Sequence, residues 1–205
     1  NKLFIGLLAV ALSASTTTSC SDFLDETLDT QRNTDYYDTP EGIEALATGM
    51  YYNLRFHFAY EWSFATTNYG TDEFRVGGDG SNAMWNSYDG SFTSLITAVN
   101  VNTAMAETLW DNMYTGINSA NILLEKASSE SYSSPNKNTF LGEAYFLRGF
   151  NYLKLVRQYG GVPLKLASST TVEREFTRAS AEATLAQIID DLTNAYNLLP
   201  SSGIT

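Results

Sequence analysis

Hydrophobic residues recur along most of this chain at the three- and four-residue spacing of an α-helix with one buried face. The first helical pattern follows Thr39, a residue suited to an N-cap, and continues to about residue 55. A second pattern begins near Thr103 and a third at Leu141, and a fourth follows Ser180, which is also predicted to be an N-cap. The stripe of the second pattern is Leu109, Met113, Ile117, Ala120 and Leu124. The stripe of the fourth is Leu185, Ile188, Ile189, Leu192, Ala195, Tyr196 and Leu199. We therefore predict a mainly α-helical fold, built of antiparallel helix pairs similar to tetratricopeptide units.

Residues 141–159 are predicted to be a central, buried helix that ends at Gly160. Hydrophobic positions cover more than half of its circumference, so neighbours are expected on two sides. Gly142 and Gly149 lie within the apolar arc, where a glycine costs up to about 1 kcal/mol relative to alanine. We therefore expect another backbone to approach this helix closely at both glycines.

One cation, Arg148, falls inside the same apolar arc. An unpaired guanidinium there would carry a large desolvation cost, so we expect a carboxylate partner. The candidate partners are Asp72, Asp111 and Glu143. Such a buried ion pair would fix how the central helix packs against the segment that precedes it.

The pattern changes between residues 56 and 102, where aromatic residues alternate irregularly with glycine and small polar residues. We predict one long, aromatic-rich loop region there, because the aromatic content argues against disorder. Long loops within a compact domain often carry function.

The charge and the cysteine content of the chain exclude some classes of function and structure. The 205 residues include 12 basic and 23 acidic residues, a formal net charge of −11. Residues 1–19 contain one lysine and no acid, so the remaining 11 basic and 23 acidic residues give −12. No basic run is present that could follow a phosphate backbone, which argues against nucleic-acid binding. Cys20 is the sole cysteine, so an internal disulfide is impossible.

The first nineteen residues are typical of a secretion signal. Lys2 precedes an apolar run at residues 3–12, which is far shorter than the roughly 20 residues that span a bilayer. Small, hydroxylated residues then lead to Cys20, as at the processing site of a bacterial lipoprotein; the alternative is a free cysteine beside an ordinary cleavage site. Attached acyl chains contribute about 0.8 kcal/mol per buried CH₂ and would anchor the chain.

The next segment, residues 20–38, is acidic and aperiodic and is predicted to be a tether. It would join the lipidated Cys20 to a helical domain at residues 39–205. We therefore predict three parts: a lipoprotein signal peptide at residues 1–19, the tether, and the domain.

Several motifs follow one another in a specific order along the chain. They are Cys20 to Asp25; Trp110, Tyr114, Ile117, Ala120 and Asn121; Gly142 to Ala144, Arg148 and Tyr159 to Leu164; and Arg178, Asp191, Leu192, Leu199 and Pro200. Their order and spacing resemble the N-terminal part of the SusD-like (RagB/SusD) family of outer-membrane lipoproteins. The resemblance covers nearly the whole chain.

The resemblance implies an α-helical protein with tetratricopeptide-like repeats at the cell surface. It implies binding of glycans or related nutrients and their delivery, uncleaved, to a partner TonB-dependent (SusC-like) transporter of the outer membrane. We expect no cofactor and no metal, because the sequence contains no phosphate-binding glycine loop and no zinc spacing. Members of the family are considerably longer, so we expect this chain to be a fragment that lacks the C-terminal half.

Sugar binding needs flat aromatic faces together with groups that hydrogen-bond to paired hydroxyls. The predicted loop region contains both kinds of group. Our preferred stacking cluster is Trp85 with Asn82, Asn86, Tyr88 and Asp89, and our second choice is Trp62 and Tyr69 with Asp72, Glu73 and Arg75. The alternative is that these aromatic residues only hold the loop against the helices.

A catalytic function has little support in the sequence. His57, the one histidine, lies between phenylalanines and is expected to have a core or loop role. Asp72 with Glu73, or Asp190 with Asp191, could in principle serve glycoside hydrolysis. Adjacent acids on a helix diverge, however, so Asp190 and Asp191 are expected to face solvent or to cap a packing contact. No zinc or calcium-loop spacing is present.

These observations leave a surface glycan-binding component of an uptake complex as the expected function, with no catalytic residue. The alternative is a structural helical-repeat lipoprotein that mediates protein contacts in an outer-membrane complex. A lipid-anchored glycosidase is a third and weaker hypothesis.

Overall fold

A computed structural model describes residues 34–58, 68, 71–75, 104–169 and 175–201 of the chain. The chain divides into two compact units, Asn1–Tyr36 and Tyr37–Thr205. Cys20 and the predicted signal peptide lie outside the described residues. Within the described ranges, no helix combines the length and hydrophobicity that a membrane span requires.

The described part of the second unit is built mainly of α-helices, as predicted. A short 3₁₀ helix, Thr34–Asp38, precedes them. The α-helices are α1 Pro40–Met50, α2 Tyr52–Phe58, α3 Ala104–Ser128, α4 Lys137–Tyr159 and α5 Ala181–Leu198.

Both predicted N-caps are confirmed. The Thr39 side chain accepts a hydrogen bond of 3.1 Å from the backbone N–H of Gly42, and Pro40 occupies the first turn of α1. The Ser180 hydroxyl accepts a bond of 3.1 Å from the N–H of Ala183 in α5. In each helix a hydroxyl oxygen thus satisfies a backbone donor that has no partner within the helix.

The single first helix that the pattern predicts is in fact two helices. Tyr51 separates α1 from α2 with φ −68° and ψ −17°, dihedrals that remain in the helical region. The hydrophobic period therefore runs across the break unchanged, and the sequence has no signal for it. Because α2 extends to Phe58, the predicted loop start at residue 56 is three residues too early.

The helices α3 and α4 form an antiparallel pair. Gly116 of α3 lies against Asn151 of α4, whereas Asn121, further along α3, bonds to the earlier residue Arg148. Residue numbers therefore rise along one helix as they fall along the other.

Contacts at two glycines of α4 show that α4 and α5 are also antiparallel. A Cβ atom on Gly142 would lie 2.8 Å from Cγ of Leu199, and one on Gly149 would lie 3.3 Å from Cβ of Asp191. A neighbouring segment does approach closely at both glycines, but the expectation that its backbone makes the contact is wrong, because the nearest atoms belong to side chains. α5 therefore runs antiparallel to α4 and packs directly on its glycine positions.

Among the described residues, the core consists of two clusters of buried hydrophobic residues along the α3–α4 pair. The first contains Ile43, Leu46, Ala47 and Met50 of α1, Ala120, Leu123, Leu124 and Ala127 of α3, Tyr132, and Ala144 and Leu147 of α4. The second contains Leu109, Met113, Ile117, Tyr152, Leu155, Val162 and Ile188. The stripe predicted on α3 is confirmed because all five of its residues are buried.

The stripe predicted on α5 is only partly buried. Ile188 and Ala195 are buried, whereas Leu185, Ile189, Leu192 and Tyr196 are exposed. The face that packs on α4 lies one residue earlier in each turn and consists of Thr184, Ile188, Asp191 and Ala195. Two of its four residues are polar, which is why a search for apolar periodicity selects the wrong edge of the helix.

Candidate functional site

A buried ion pair joins α4 to α5. Nε and Nη2 of Arg148 donate to Oδ2 and Oδ1 of Asp191 at 2.9 and 2.6 Å. Arg148 is 6% exposed and Asp191 is fully buried. Gln187 donates a further bond of 3.0 Å to Oδ1. The predicted buried ion pair for Arg148 is therefore confirmed, in the bidentate geometry that a guanidinium and a carboxylate favour.

The predicted partners of Arg148, by contrast, are wrong. Asp72 and Asp111 are exposed, Glu143 is partly buried, and the acceptor is Asp191. Asp191 follows Ile188 by three residues on the packed face of α5, so its burial comes from helix periodicity. Of the two alternatives expected for Asp191, exposure to solvent is wrong, because Asp191 is buried at the contact between α4 and α5, whereas its neighbour Asp190 is exposed.

The pair extends into α3 and into the chain that follows α4. Nη1 of Arg148 donates to Oδ1 of Asn121 at 2.8 Å. Nδ2 of Asn121 in turn donates to the carbonyl oxygens of Lys165 and Ala167, both at 2.9 Å. One buried guanidinium thus connects α3, α4, α5 and a non-helical segment, residues 162–169, which we call the rim segment.

The rim segment belongs to no helix, so its backbone groups have no helical partners. Side chains of α3 and α4 bond to several of them. The Tyr152 hydroxyl donates to the Lys165 carbonyl at 2.9 Å and accepts from the Lys165 N–H at 2.6 Å. Tyr114 donates to the Pro163 carbonyl at 2.7 Å. Burial raises the pKa of Tyr152 to about 12 and raises that of Tyr114 also, so both phenols remain protonated donors at neutral pH.

The far end of the rim segment is bound to α3 in the same way. Oδ1 of Asn118 accepts from the Ser169 N–H at 2.9 Å, and its Nδ2 donates to the Ser169 carbonyl at 3.4 Å. Both backbone groups of Ser169 are therefore paired with one amide side chain. The rim segment lies along α3 in a defined register.

Residues 175–180 are attached beside the start of the rim segment. Gly160 ends α4 with φ +72°, as the predicted stop requires, and its N–H donates to the Val156 carbonyl. The Arg178 guanidinium donates to the carbonyl oxygens of Tyr159 and Gly161. A cation thus binds carbonyls at a helix C-terminus, where the dipole favours positive charge.

Between these attached segments lies a groove with a volume of about 590 Å³, which we call the α3 groove. One side is α3, with Trp110, Asp111, Tyr114, Thr115, Ile117, Asn118 and Ser119. The other side is formed by Pro163, Lys165, Ser169 and Phe176. The volume falls within the roughly 300–1,000 Å³ of typical ligand pockets.

Aromatic rings occupy both sides of the groove. The Trp110 ring lies 4.9 Å from that of Tyr114 and 5.1 Å, edge to face, from that of Tyr159. Phe176 on the opposite side is 54% exposed, and the Lys165 ammonium lies 4.9 Å from its ring centroid. The Trp110 ring is therefore fixed by packing, whereas the Phe176 ring presents apolar surface to solvent.

The chemistry of the groove suits binding. Asp111 is the one carboxylate among the described residues that line it, whereas glycoside hydrolysis uses two. The described residues contain no group of three or more metal-binding side chains. Aromatic faces beside a carboxylate, an ammonium and hydroxyls are groups that hold a polar ligand with apolar faces.

Three of the predicted binding residues lie in the described part of the chain. Asp72 and Arg75 are exposed, as is Glu73, and all three lie within residues 71–75. The remaining candidates fall outside the described residues: Trp62, Tyr69, Asn82, Trp85, Asn86, Tyr88 and Asp89. Both predicted clusters therefore stay predictions.

The remaining catalytic candidate, His57, lies in the core as predicted. It is 5% exposed, and its ring meets those of Phe56, Phe58 and Phe150 edge to face. Burial lowers the pKa of His57, and the nearby Lys154 ammonium lowers it further. A neutral ring enclosed by phenylalanines is suited to packing.

The sequence interpretation missed the groove entirely. Its α3 side could have been found, because Asn118 follows Tyr114 by one helical turn and continues the same face. Phe176 has no comparable signal, since it is a single aromatic residue in a polar stretch. Its place opposite α3 depends on the attachment of residues 175–180 to the rim segment.

Comparison with known proteins identifies relatives. A family model described as starch-binding and associating with the outer membrane matches residues 22–204. A SusD-like protein of Formosa agariphila, P38, is 35% identical over 88 residues, which are 42% of this chain and 17% of that protein.

Solved structures match over most of the chain. A SusD superfamily protein of Bacteroides thetaiotaomicron is 23% identical with a TM-score of 0.65, and covers 80% of this chain and 36% of its own. A laminarin-binding SusD-like protein is 26% identical with a TM-score of 0.62, and covers 79% of this chain and 34% of its own. The chain thus spans about a third of the length of these structures.

Proposed function

The chain belongs to the SusD-like family, and on that premise we propose that it binds glycans or related nutrients at the cell surface and delivers them, uncleaved, to a TonB-dependent outer-membrane transporter. The observation that carries the proposal is the match of the family model, described as starch-binding and associating with the outer membrane, across residues 22–204. The laminarin-binding relative supports a glycan as the ligand. No cofactor takes part.

The route to the surface begins at Cys20. In this proposal residues 1–19 are removed as a signal peptide, the cysteine takes the lipid, and residues 20–38 tether the helical domain at residues 39–205. We expect the mature chain to begin at Cys20, with an added mass equal to its acyl groups. Mass spectrometry of membrane-extracted protein checks this; an unmodified chain recovered from the medium would contradict the anchor.

The ligand site of the proposal includes the aromatic loop region. Trp85, with Asn82, Asn86, Tyr88 and Asp89, is the preferred stacking cluster. The second choice is Trp62 and Tyr69 with Asp72, Glu73 and Arg75. A tryptophan face excludes water from the C–H side of a pyranose, while amides and carboxylates accept and donate at its hydroxyls.

Pull-down on a panel of immobilised polysaccharides, including starch and laminarin, tests the function. We expect retention of the wild-type chain and at least about tenfold weaker binding of Trp85→Ala by calorimetry, a loss of about 1.4 kcal/mol. Tyr196→Ala, which removes an aromatic ring that is 85% exposed on α5, is the matched control and should bind normally.

The same mixtures, assayed for reducing ends, distinguish the third hypothesis. Release of reducing sugar would favour a glycosidase over a carrier. Retention on no polysaccharide of the panel would remove glycan binding, and normal binding by a folded Trp85→Ala would remove Trp85 from the site.

A structural helical-repeat lipoprotein remains the second candidate because of one observation. Leu185, Ile189, Leu192 and Tyr196 are exposed and share one face of α5 at helical spacing. An apolar face of this kind is typical of a protein contact. Failure of the pull-down, together with co-purification of an outer-membrane complex that Leu192→Asp abolishes, would favour this candidate.

A further inference from the structure

We propose that the α3 groove is a binding subsite for a neutral oligosaccharide, in which a pyranose ring stacks on Phe176 and its hydroxyls bond to polar side chains of α3. The inference rests on the proposed function and names a site and a ligand class for it. The site differs from the aromatic loop region, because it is formed by α3, the rim segment and residues 175–180.

The two sides of the groove are held in place before any ligand arrives. Tyr114, Asn118 and Asn121 of α3 bond directly to backbone groups of the rim segment. On the other side, the Ala179 N–H donates to the Val162 carbonyl at 3.1 Å. This bond attaches residues 175–180, which include Phe176, to the rim segment. A preformed site avoids the entropy cost of ordering its walls on binding.

Phe176 supplies the apolar surface. Its side chain is 54% exposed, so stacking of a sugar would remove ring surface from water. The Lys165 ammonium lies 4.9 Å from the ring centroid and restricts where the ring can move. A pyranose has an apolar C–H face that matches a flat aromatic ring.

Polar groups of α3 face the same space. Asp111 and Thr115 are one helical turn apart, both are exposed, and both line the groove. A carboxylate accepts two hydrogen bonds at once and so suits a pair of neighbouring sugar hydroxyls. The Ser119 hydroxyl donates to the Thr115 carbonyl and thereby has a fixed orientation beside them.

Charge selects among sugars. Within the groove the Lys165 ammonium and the Asp111 carboxylate offset one another. The chain as a whole carries a formal charge of −11, which repels uronates and sulfated sugars at low ionic strength. The groove therefore favours uncharged sugars over acidic ones of the same length.

Calorimetry on the full chain tests the inference with laminarihexaose and maltohexaose as neutral probes and hexagalacturonate as the acidic probe. We expect the neutral probe that binds better to lose at least tenfold in affinity with Phe176→Ala. Phe176→Tyr should stay within threefold of wild type, because it keeps the ring. Tyr196→Ala, an exposed aromatic residue outside the groove, should change nothing.

Three other results would each contradict a different part of this proposal. Equal affinity of wild type and a folded Phe176→Ala would exclude the groove. Tighter binding of hexagalacturonate than of either neutral probe would exclude the ligand class. If wild type bound neither neutral probe, the inference would fall, while the polysaccharide panel would still decide the proposed function independently. Thermal melting of each variant verifies its fold.

Discussion

Asp191→Asn is expected to lower the free energy of unfolding by about 3–5 kcal/mol, the range measured when one partner of a buried ion pair is removed. Asp191 is fully buried and accepts both Nε and Nη2 of Arg148. Asparagine has nearly the same size, so little packing is lost. What changes is that the guanidinium, 6% exposed, is left in the core without an opposing charge.

Denaturant unfolding measures this loss, and the neighbouring residue supplies the control. Asp190→Asn makes the same chemical change at an exposed position and should stay within about 0.5 kcal/mol of wild type. In the double variant Arg148→Met with Asp191→Leu, most of the stability should return, because no charge remains to be desolvated. A loss below 1 kcal/mol for Asp191→Asn would show that the ion pair is energetically unimportant.

Gly161→Ala is expected to destabilise the fold by about 2–3 kcal/mol or more, at the upper end of the cost of overpacking. A Cβ atom at this position would overlap the Ala179 carbonyl oxygen and would lie 2.9 Å from both the Ser180 carbonyl carbon and the Ala181 nitrogen. These are backbone atoms, so a rotamer change cannot relieve the contact. The chain must move instead.

The movement would affect two attachments at once. The Ala179 N–H donates to the Val162 carbonyl, and the Ser180 hydroxyl caps α5. Gly161→Ala should therefore loosen the rim segment and the start of α5 together. Hydrogen exchange would detect this as faster exchange at residues 179–184 than in wild type.

Gly49→Ala provides a matched control in a different environment. Gly49 lies near the end of α1, and a Cβ atom there would meet nothing within 4 Å. The substitution should stabilise the chain by about 0.4–1 kcal/mol, because alanine reduces the freedom of the unfolded state. If Gly161→Ala were equally harmless in denaturant unfolding, the close contact at Gly161 would not limit the fold.

The rim segment connects these two sites to the proposed binding groove. Its backbone groups lie outside any helix, so side chains of the neighbouring helices form hydrogen bonds with them. Asn118, Asn121, Arg148 and Tyr152 contribute to that support. Weakening the Arg148 network or the contact at Gly161 should therefore also distort the α3 groove, which the rim segment borders.

The sequence by itself determined the elements that depend on local chemistry. The caps at Thr39 and Ser180, the stop at Gly160 and the buried stripe of α3 follow from residue type and spacing within a few residues. The need for a partner to Arg148 was also evident from the sequence. Burying a lone guanidinium is costly, and this holds whichever carboxylate offsets the cost. The order of the motifs indicated the family, and the match of the family model confirmed it.

Only the tertiary structure decided which residues meet across long separations. Arg148 could have reached several acids, and the packing of α5 on the glycines of α4 selected Asp191, 43 positions away. The same packing left Leu192 exposed, and the attachment of residues 175–180 to the rim segment placed Phe176 on the side of the groove opposite α3. Periodicity describes one helix at a time, whereas these contacts depend on how two or three elements are placed together, and no local pattern encodes that placement.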